Sequence, residues 1–428
     1  MRKIAGTLLT FLFLAISATA QRTVLYCGKL VDVKSLQVLT EMSVVVEGGN
    51  ITDIQKGYIP TTSGDKIIDL KRFTVMPGLM DCHTHLESET TPHELEREVM
   101  LNPQDYAFMS VGIAEKTLMA GFTTVRDLGG TGVNISLRNA INKGLIKGPK
   151  VYTAGIPLGT TGGHADPTNG YRNSLKGNPG PQEGVVNGVE ECIKGVRMRY
   201  KEGSDWIKIM ATGGVLSLEK DGTGAQFTEE EIRTIVQTAK DYGMKVAAHA
   251  HGAEGMKRAI RAGVASIEHG TFMDDEAISL FKKYGTWYVP TLIAGKSVSD
   301  SATHPGYFPE IIATKAKAIG PLMENTFSKA YKAGVKIAFG TDAGVYAHGK
   351  NWMEFIYMTE AGMPPLEAIR SATMNAAELL GISDKTGSIE KGKLGDIIAV
   401  DGDPTKDIMS MGRVKFVMRA GIVYKSSE

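Results

Sequence analysis

Trp206-Ile207-Lys208-Ile209-Met210 sets a lysine inside an otherwise apolar run of strand texture. A buried ammonium without a partner is costly, so Lys208 is explained either by a satisfied core ion pair or by a site that uses it. Outward from this segment the chain repeats strand-then-helix texture. Candidate strands precede it at Leu79-Met80-Asp81-Cys82, Thr123-Thr124-Val125-Arg126 and Lys150-Val151-Tyr152-Thr153. Others follow at Lys245-Val246-Ala247-Ala248, Ala265-Ser266-Ile267-Glu268, Thr286-Trp287-Tyr288-Val289 and Lys336-Ile337-Ala338-Phe339. Helical stretches separate most of them: Thr228 and Glu231 stand in capping-box spacing at the start of Glu229–Tyr242, and Gly263 ends Glu254–Ala262. Eight strands alternating with helices over roughly 300 residues fit an α/β fold of the closed (β/α)8 TIM-barrel kind. An open doubly wound sheet is the competing architecture, but no strand is followed by a dinucleotide-binding glycine fingerprint.

The two ends read differently. Thr23–Tyr26 and Ser43–Glu47, broken by Gly48-Gly49-Asn50, are short strands, as are Gly395–Val400 and Val414–Met418 near the other terminus. Neither piece can bury a face alone, so the two are expected to pair into a small β-sandwich. The expected division is a signal peptide over 1–20, the sandwich over 21–76 and 385–428, and the barrel over 77–384. Met1-Arg2-Lys3, the apolar stretch Leu8–Ile16 and Ala18-Thr19-Ala20 before Gln21 have the order of a secretory leader. The apolar run is short for a membrane span of about 20 residues, and Cys27 is not placed for lipidation. The expectation is export to the periplasm or medium, without membrane association after cleavage. Three cysteines among 428 residues exclude a disulfide framework. Loss of Arg2 and Lys3 leaves 46 of the 48 basic residues against 47 acidic ones, a balance that points to no nucleic-acid partner. Oligomeric state is left open, a homo-oligomer included.

Chemistry-bearing residues gather at the ends of the candidate strands. Asp81-Cys82-His83-Thr84-His85 carries two imidazoles two residues apart, able to face one side in extended backbone. Alone, this pair is more readily structural. His249 and His269 stand at the ends of the fifth and sixth strands, and Asp342 follows the eighth in Gly340-Thr341-Asp342. The C-terminal strand ends are the face where barrel enzymes build their sites, and unrelated structural histidines have no reason to collect there. On this face Lys208 is better read as a neutral amine that has taken up carbon dioxide, its carbamate able to bridge two cations.

These segments closely resemble the amidohydrolase superfamily, in its branch of imidazolonepropionase-like proteins and metal-dependent Xaa-Pro dipeptidases (prolidases). The resemblance is carried by Met76–His85, Trp206–Gly214, Ala247–Gly252, Ser266–Gly270 and Phe339–Gly344, and extends over the whole chain after the leader. It implies that His83, His85 and Asp342 hold one divalent metal, His249 and His269 the other, and N6-carboxylated Lys208 both. Zinc suits such ligands. A shared water of lowered pKa would attack an amide carbonyl, with Asp342 as ligand and proton shuttle. His251 remains an alternative strand-five ligand. It is otherwise read as a substrate-contacting or proton-handling group, with a supporting hydrogen bond at nearly equal weight. His164, in Gly162-Gly163-His164, matches a segment that similar dipeptidases use to hold substrate, and Tyr346 is a further pocket candidate. Arg126 is read as a structural ion-pairing residue, and His93, His304 and His348 as surface residues.

The activity expected is hydrolysis of an amide bond in a small molecule, an Xaa-Pro dipeptide or an N-acyl amino acid. The alternatives are an imidazolonepropionase-like cyclic-amide hydrolase or a deaminase, which usually use one metal and place a Glu shortly after the strand-five histidine. Here His249 is followed by Ala250-His251-Gly252. A secreted binding protein that has lost catalysis is the least favoured, because all six expected ligands are present.

Overall fold

The computed structural model describes residues 21–219, 222–317 and 319–426, with 94, 95 and 98 described in backbone only. The expected leader lies outside these residues. No helix among those described is long and apolar enough to cross a membrane.

The chain opens with β1 (Thr23–Asp32), β2 (Gln37–Glu47), β3 (Asn50–Lys56) and β4 (Lys66–Pro77). It closes with β12 (Ile397–Val400), β13 (Val414–Arg419) and β14 (Ile422–Ser426). Both ends share one sheet in the order β14-β13-β12-β4-β1-β2-β3. The long β4 joins its arms: residues from Lys66 to Val75 run parallel to β1, while Thr74–Pro77 pair antiparallel with β12. Leu25, Val44 and Ile51 from one arm and Ile397, Phe416 and Met418 from the other pack into one core, so the sheet folds over as a sandwich. The apolar residues on this face of each end are thus buried by the other end, while Val31, Val33, Ile398, Val400 and Val414 pack into the barrel core.

Between the two ends lies the barrel. Its strands are β5 (Leu79–Thr84), β6 (Phe122–Asp127), β7 (Lys150–Thr153), β8 (Trp206–Met210), β9 (Lys245–Ala250), β10 (Ser266–His269) and β11 (Trp287–Val289). They pair in parallel within the groups β5-β6-β7 and β8-β9-β10-β11. The eighth segment is too short for a regular strand, yet it closes the ring. Tyr288 N–H donates to Lys336 O at 2.8 Å, Cys82 N–H to Phe339 O at 2.9 Å and Asp342 N–H to His83 O at 2.7 Å. The other seam is held by Asp205 N–H to Thr153 O at 2.7 Å and Leu158 N–H to Lys208 O at 2.8 Å. Most strand residues are buried on both faces, as a parallel sheet wrapped in helices requires.

The helices end where their sequence says. The helix Glu229–Asp241 carries the capping box, with Glu231 N–H donating to Thr228 Oγ and Thr228 N–H to the Glu231 carboxylate. The helix Ala253–Ala262 stops at Gly263 in the left-handed region. All three cysteines are free and buried.

Candidate active site

His83 is next to last in β5 and His85 directly follows it, Lys208 lies in β8, His249 is next to last in β9, and His269 closes β10. Asp342 follows the eighth segment. Three non-glycine residues at this rim adopt left-handed backbone, His269 at φ 69°, Thr291 at φ 53° and Asp342 at φ 59°, a conformation held only where surroundings impose it. Each turns its chain sharply at the end of a strand.

The six expected ligands converge. His83, His269 and Asp342 each offer a ligand atom, and the three atoms lie within 4.8 Å of one another. Asp342 Oδ1 stands 3.1 Å from His85 Nε2 and 3.4 Å from His83 Nε2. Lys208 Nζ is 3.4 Å from His83 Nε2, and the His249 and His269 rings are 4.7 Å apart. A cavity of about 190 Å³ opens over the group, lined by these six residues together with His164 and His251.

Each imidazole is oriented from behind. His83 Nδ1–H donates to Glu268 Oε2 at 3.0 Å and His85 Nδ1–H to Gly129 O at 2.8 Å. His249 uses Nε2–H on Gly213 O at 3.0 Å, leaving Nδ1 as its free nitrogen. His269 Nδ1 meets Thr291 Oγ at 2.8 Å and His251 Nδ1 meets Thr271 Oγ at 2.7 Å. Fixing one nitrogen of a histidine selects the tautomer that presents the other.

Electrostatics agree with this reading. Burial, then the Lys208 charge, pulls His83 down to about 4; burial pulls His251 to about 4 and His164 to about 3, and holds His249 and His269 well below the usual range. These five rings are therefore neutral at pH 7, the form that ligates metal. His85 differs: burial alone would lower it, but its hydrogen bond to Asp342 and that residue's charge outweigh burial and raise it. Burial alone would raise Asp342, but His83, His85 and Lys208 beside it hold its carboxyl well below the ordinary range. Lys208 is 2% exposed and burial lowers it to about 8. Among the described residues its neighbour at hydrogen-bonding distance is an imidazole nitrogen, not a carboxylate. This cluster of mostly neutral imidazoles, one ionised carboxylate and one poorly accommodated ammonium is a donor set that fits bound divalent cations.

Other candidates fall in different places. His164 enters the cavity wall with its ring 4.4 Å from that of His249. Tyr346 does not line the cavity; it packs against Ile293 and Ala343, while Val345 before it keeps a place in the lining. Arg126 is the expected ion-pairing residue, with Nη2 on Glu268 Oε1 at 2.9 Å, both side chains fully buried. His93 and His304 are exposed. His348 corrects the surface reading: it is 3% exposed, and its Nε2–H donates to His85 O at 3.0 Å, fixing the backbone of an expected ligand.

The sequence reading missed Glu268, which links Arg126 to His83. Its signal was the one that exposed Lys208, a charge inside the apolar strand Ala265-Ser266-Ile267-Glu268. Asp81 was missed too. It accepts from Thr341 Oγ at 2.6 Å and Asn351 Nδ2 at 2.8 Å, clamping β5 to the segment that carries Asp342.

Known proteins resemble this chain. Ochratoxinase of Aspergillus niger is 32% identical over 419 residues, spanning 93% of this chain and 85% of the ochratoxinase. The solved structure of a Xaa-Pro dipeptidase with methionine bound in its active site is 52% identical, covers 95% of this chain and 100% of its own, and superposes with a TM-score of 0.93. A prolidase solved with N-methylphosphonate-L-proline is 32% identical, with a TM-score of 0.87 over 95% of this chain and 100% of its own. Residues 74–423 match the amidohydrolase family, and the chain is accordingly a member of that family, a hydrolase of amide bonds on a TIM barrel with a β-sandwich domain.

Proposed function

We propose that this protein is a two-metal amidohydrolase acting on small apolar amides, an Xaa-Pro dipeptide or an N-acyl amino acid. The observation that carries the reading is the position of Lys208, buried in the cavity lined by the four histidines of the expected ligand set and Asp342, with an imidazole nitrogen rather than a carboxylate at hydrogen-bonding distance among the described residues. An amine shifted toward neutrality can add carbon dioxide, and the resulting carbamate supplies the anionic oxygens the site lacks. His83, His85 and Asp342 would hold one cation, His249 and His269 a second, and carboxylated Lys208 both; the nitrogen-and-oxygen donor set favours zinc. Two such cations lower the pKa of a water toward 7 and polarise a carbonyl.

The remaining work belongs to the chain. Asp342, kept ionised by its neighbours, accepts the proton of the attacking water and delivers it to the departing nitrogen. His251, its Nδ1 engaged by Thr271, turns its other nitrogen toward the cavity as a contact for substrate. His164 lines the cavity beside His249. Val215, Val298, Ile319 and Met323 exclude water and receive an apolar side chain. The methionine in the active site of the 52% identical dipeptidase supports that assignment.

The test is a hydrolysis screen of dipeptides and N-acyl amino acids with zinc and bicarbonate supplied, run beside Lys208→Ala. Wild-type turnover of linear amides is expected, with kcat/KM falling about a hundredfold or more in the variant. Intact-mass measurement of the native wild type should show the added carbon dioxide. Full activity in Lys208→Ala would remove the bridge, and turnover confined to imidazolone or purine rings would replace the substrate class.

A further inference from the structure

The cavity over the ligand cluster is small. At about 190 Å³ it falls below the roughly 300–1,000 Å³ typical of small-molecule sites, enough for a reacting amide and one side chain. A second cavity of about 440 Å³ adjoins it and shares His164 and Leu216 as lining residues. The two chambers therefore meet at these side chains. One wall of the outer chamber is apolar and aromatic, formed by Leu218, Tyr307, Phe308, Pro309 and Ile312. Tyr307 and Phe308 stand edge to face with centroids 4.8 Å apart, a packing that leaves ring surface to stack on a flat group. The charges on its lining are acidic, Glu96 and Asp166. Asp166 is committed to the loop, accepting from Gly162 N–H, Thr168 N–H and Thr168 Oγ, so the loop that presents His164 is preformed.

We infer that the substrate spans both chambers: an apolar amino acid in the inner one, its scissile amide beneath His164, and a bulky uncharged acyl group, aromatic by preference, in the outer one. This deepens the amide-hydrolase reading and rests on it. A free dipeptide would leave the outer chamber empty, whereas an N-aroyl amino acid would cover Leu216 and Phe308. An anionic acyl group would meet the Glu96 and Asp166 carboxylates.

The experiment compares kcat/KM for N-acetyl-, N-(2-naphthoyl)- and N-succinyl-L-methionine on the zinc-loaded full chain, with Xaa-Pro dipeptides as a reference. The naphthoyl substrate should exceed the acetyl one by about tenfold or more, and the succinyl one should fall below it. Phe308→Ala should bring the naphthoyl-to-acetyl ratio close to one, and Phe308→Leu, which keeps apolar area, should retain most of it. Equal turnover of the naphthoyl and acetyl substrates, or a Phe308→Ala loss common to every substrate, would overturn the inference while leaving amide hydrolysis intact. Cleavage of dipeptides alone would also overturn it. Failure on every amide would remove the activity itself, an outcome distinct from the others.

Discussion

Lys208 and Glu268 are charged residues buried in barrel strands. Glu268 shares its two oxygens between Arg126 and His83, with Ser266 Oγ donating to the same Oε1 as Arg126. Burial alone would raise its carboxyl, but Arg126, then His83, pull it down to about 2. Arg126 is satisfied in turn by Cys82 O and Ser266 Oγ and lies over the Trp206 ring. Glu268→Gln leaves a buried guanidinium without its counter-charge and His83 without its anchor. Stability should drop by about 3–5 kcal/mol and metal affinity by about 10–100-fold. Thermal melts and metal content by mass spectrometry measure the two separately, and a variant that bound metal as tightly as the wild type would refute the anchoring role.

At the level of elements, the rim is built from sharp turns. His269, Thr291 and Asp342 take left-handed backbone where glycine would be expected, and the loop after β8 supplies the converse case. A Cβ at Gly214 would stand 2.2 Å from His164 Cε1 and 2.3 Å from its Nδ1. Glycine there lets the imidazole lie against the backbone. Gly214→Ala must therefore displace the His164 ring, which is not one of the six expected ligands. Its expected signature is a kcat/KM lower by about tenfold to a hundredfold with unchanged metal content, and unaltered kinetics would show that His164 takes no part. The eighth barrel segment shows a limit of sequence reading at this scale. Lys336-Ile337-Ala338-Phe339 reads as a strand, yet it forms only scattered ladder bonds. Its neighbours β11 and β5 accept it through a few backbone contacts, and Asp81 completes the clamp through side chains far away in the chain.

For the molecule as a whole, folding and metal binding are expected to be separable. An extended apolar core links strands and helices around the barrel and includes no expected ligand, so the fold does not depend on cations for its hydrophobic burial. Removing metal with a chelator should leave far-ultraviolet circular dichroism unchanged while lowering Tm. Readdition at about 100 times Kd should restore about 2.7 kcal/mol of stability. A Tm indifferent to chelation and to added zinc would mean that the cluster does not hold metal in the folded protein.

The sequence by itself determined the barrel, the pairing of the two chain ends and the identity of the six converging residues. Periodicity, cap residues and polar side chains in apolar strands are local signals, legible without coordinates. Only the tertiary structure decided which nitrogen each histidine turns inward, that Glu268 and Asp81 brace the site, that His348 supports His85 from a buried position, and that Tyr346 faces away from the cavity. Those outcomes depend on partners dozens to hundreds of residues distant and on backbone turns at single positions. A sequence pattern names the residues available for such contacts, and packing chooses among them.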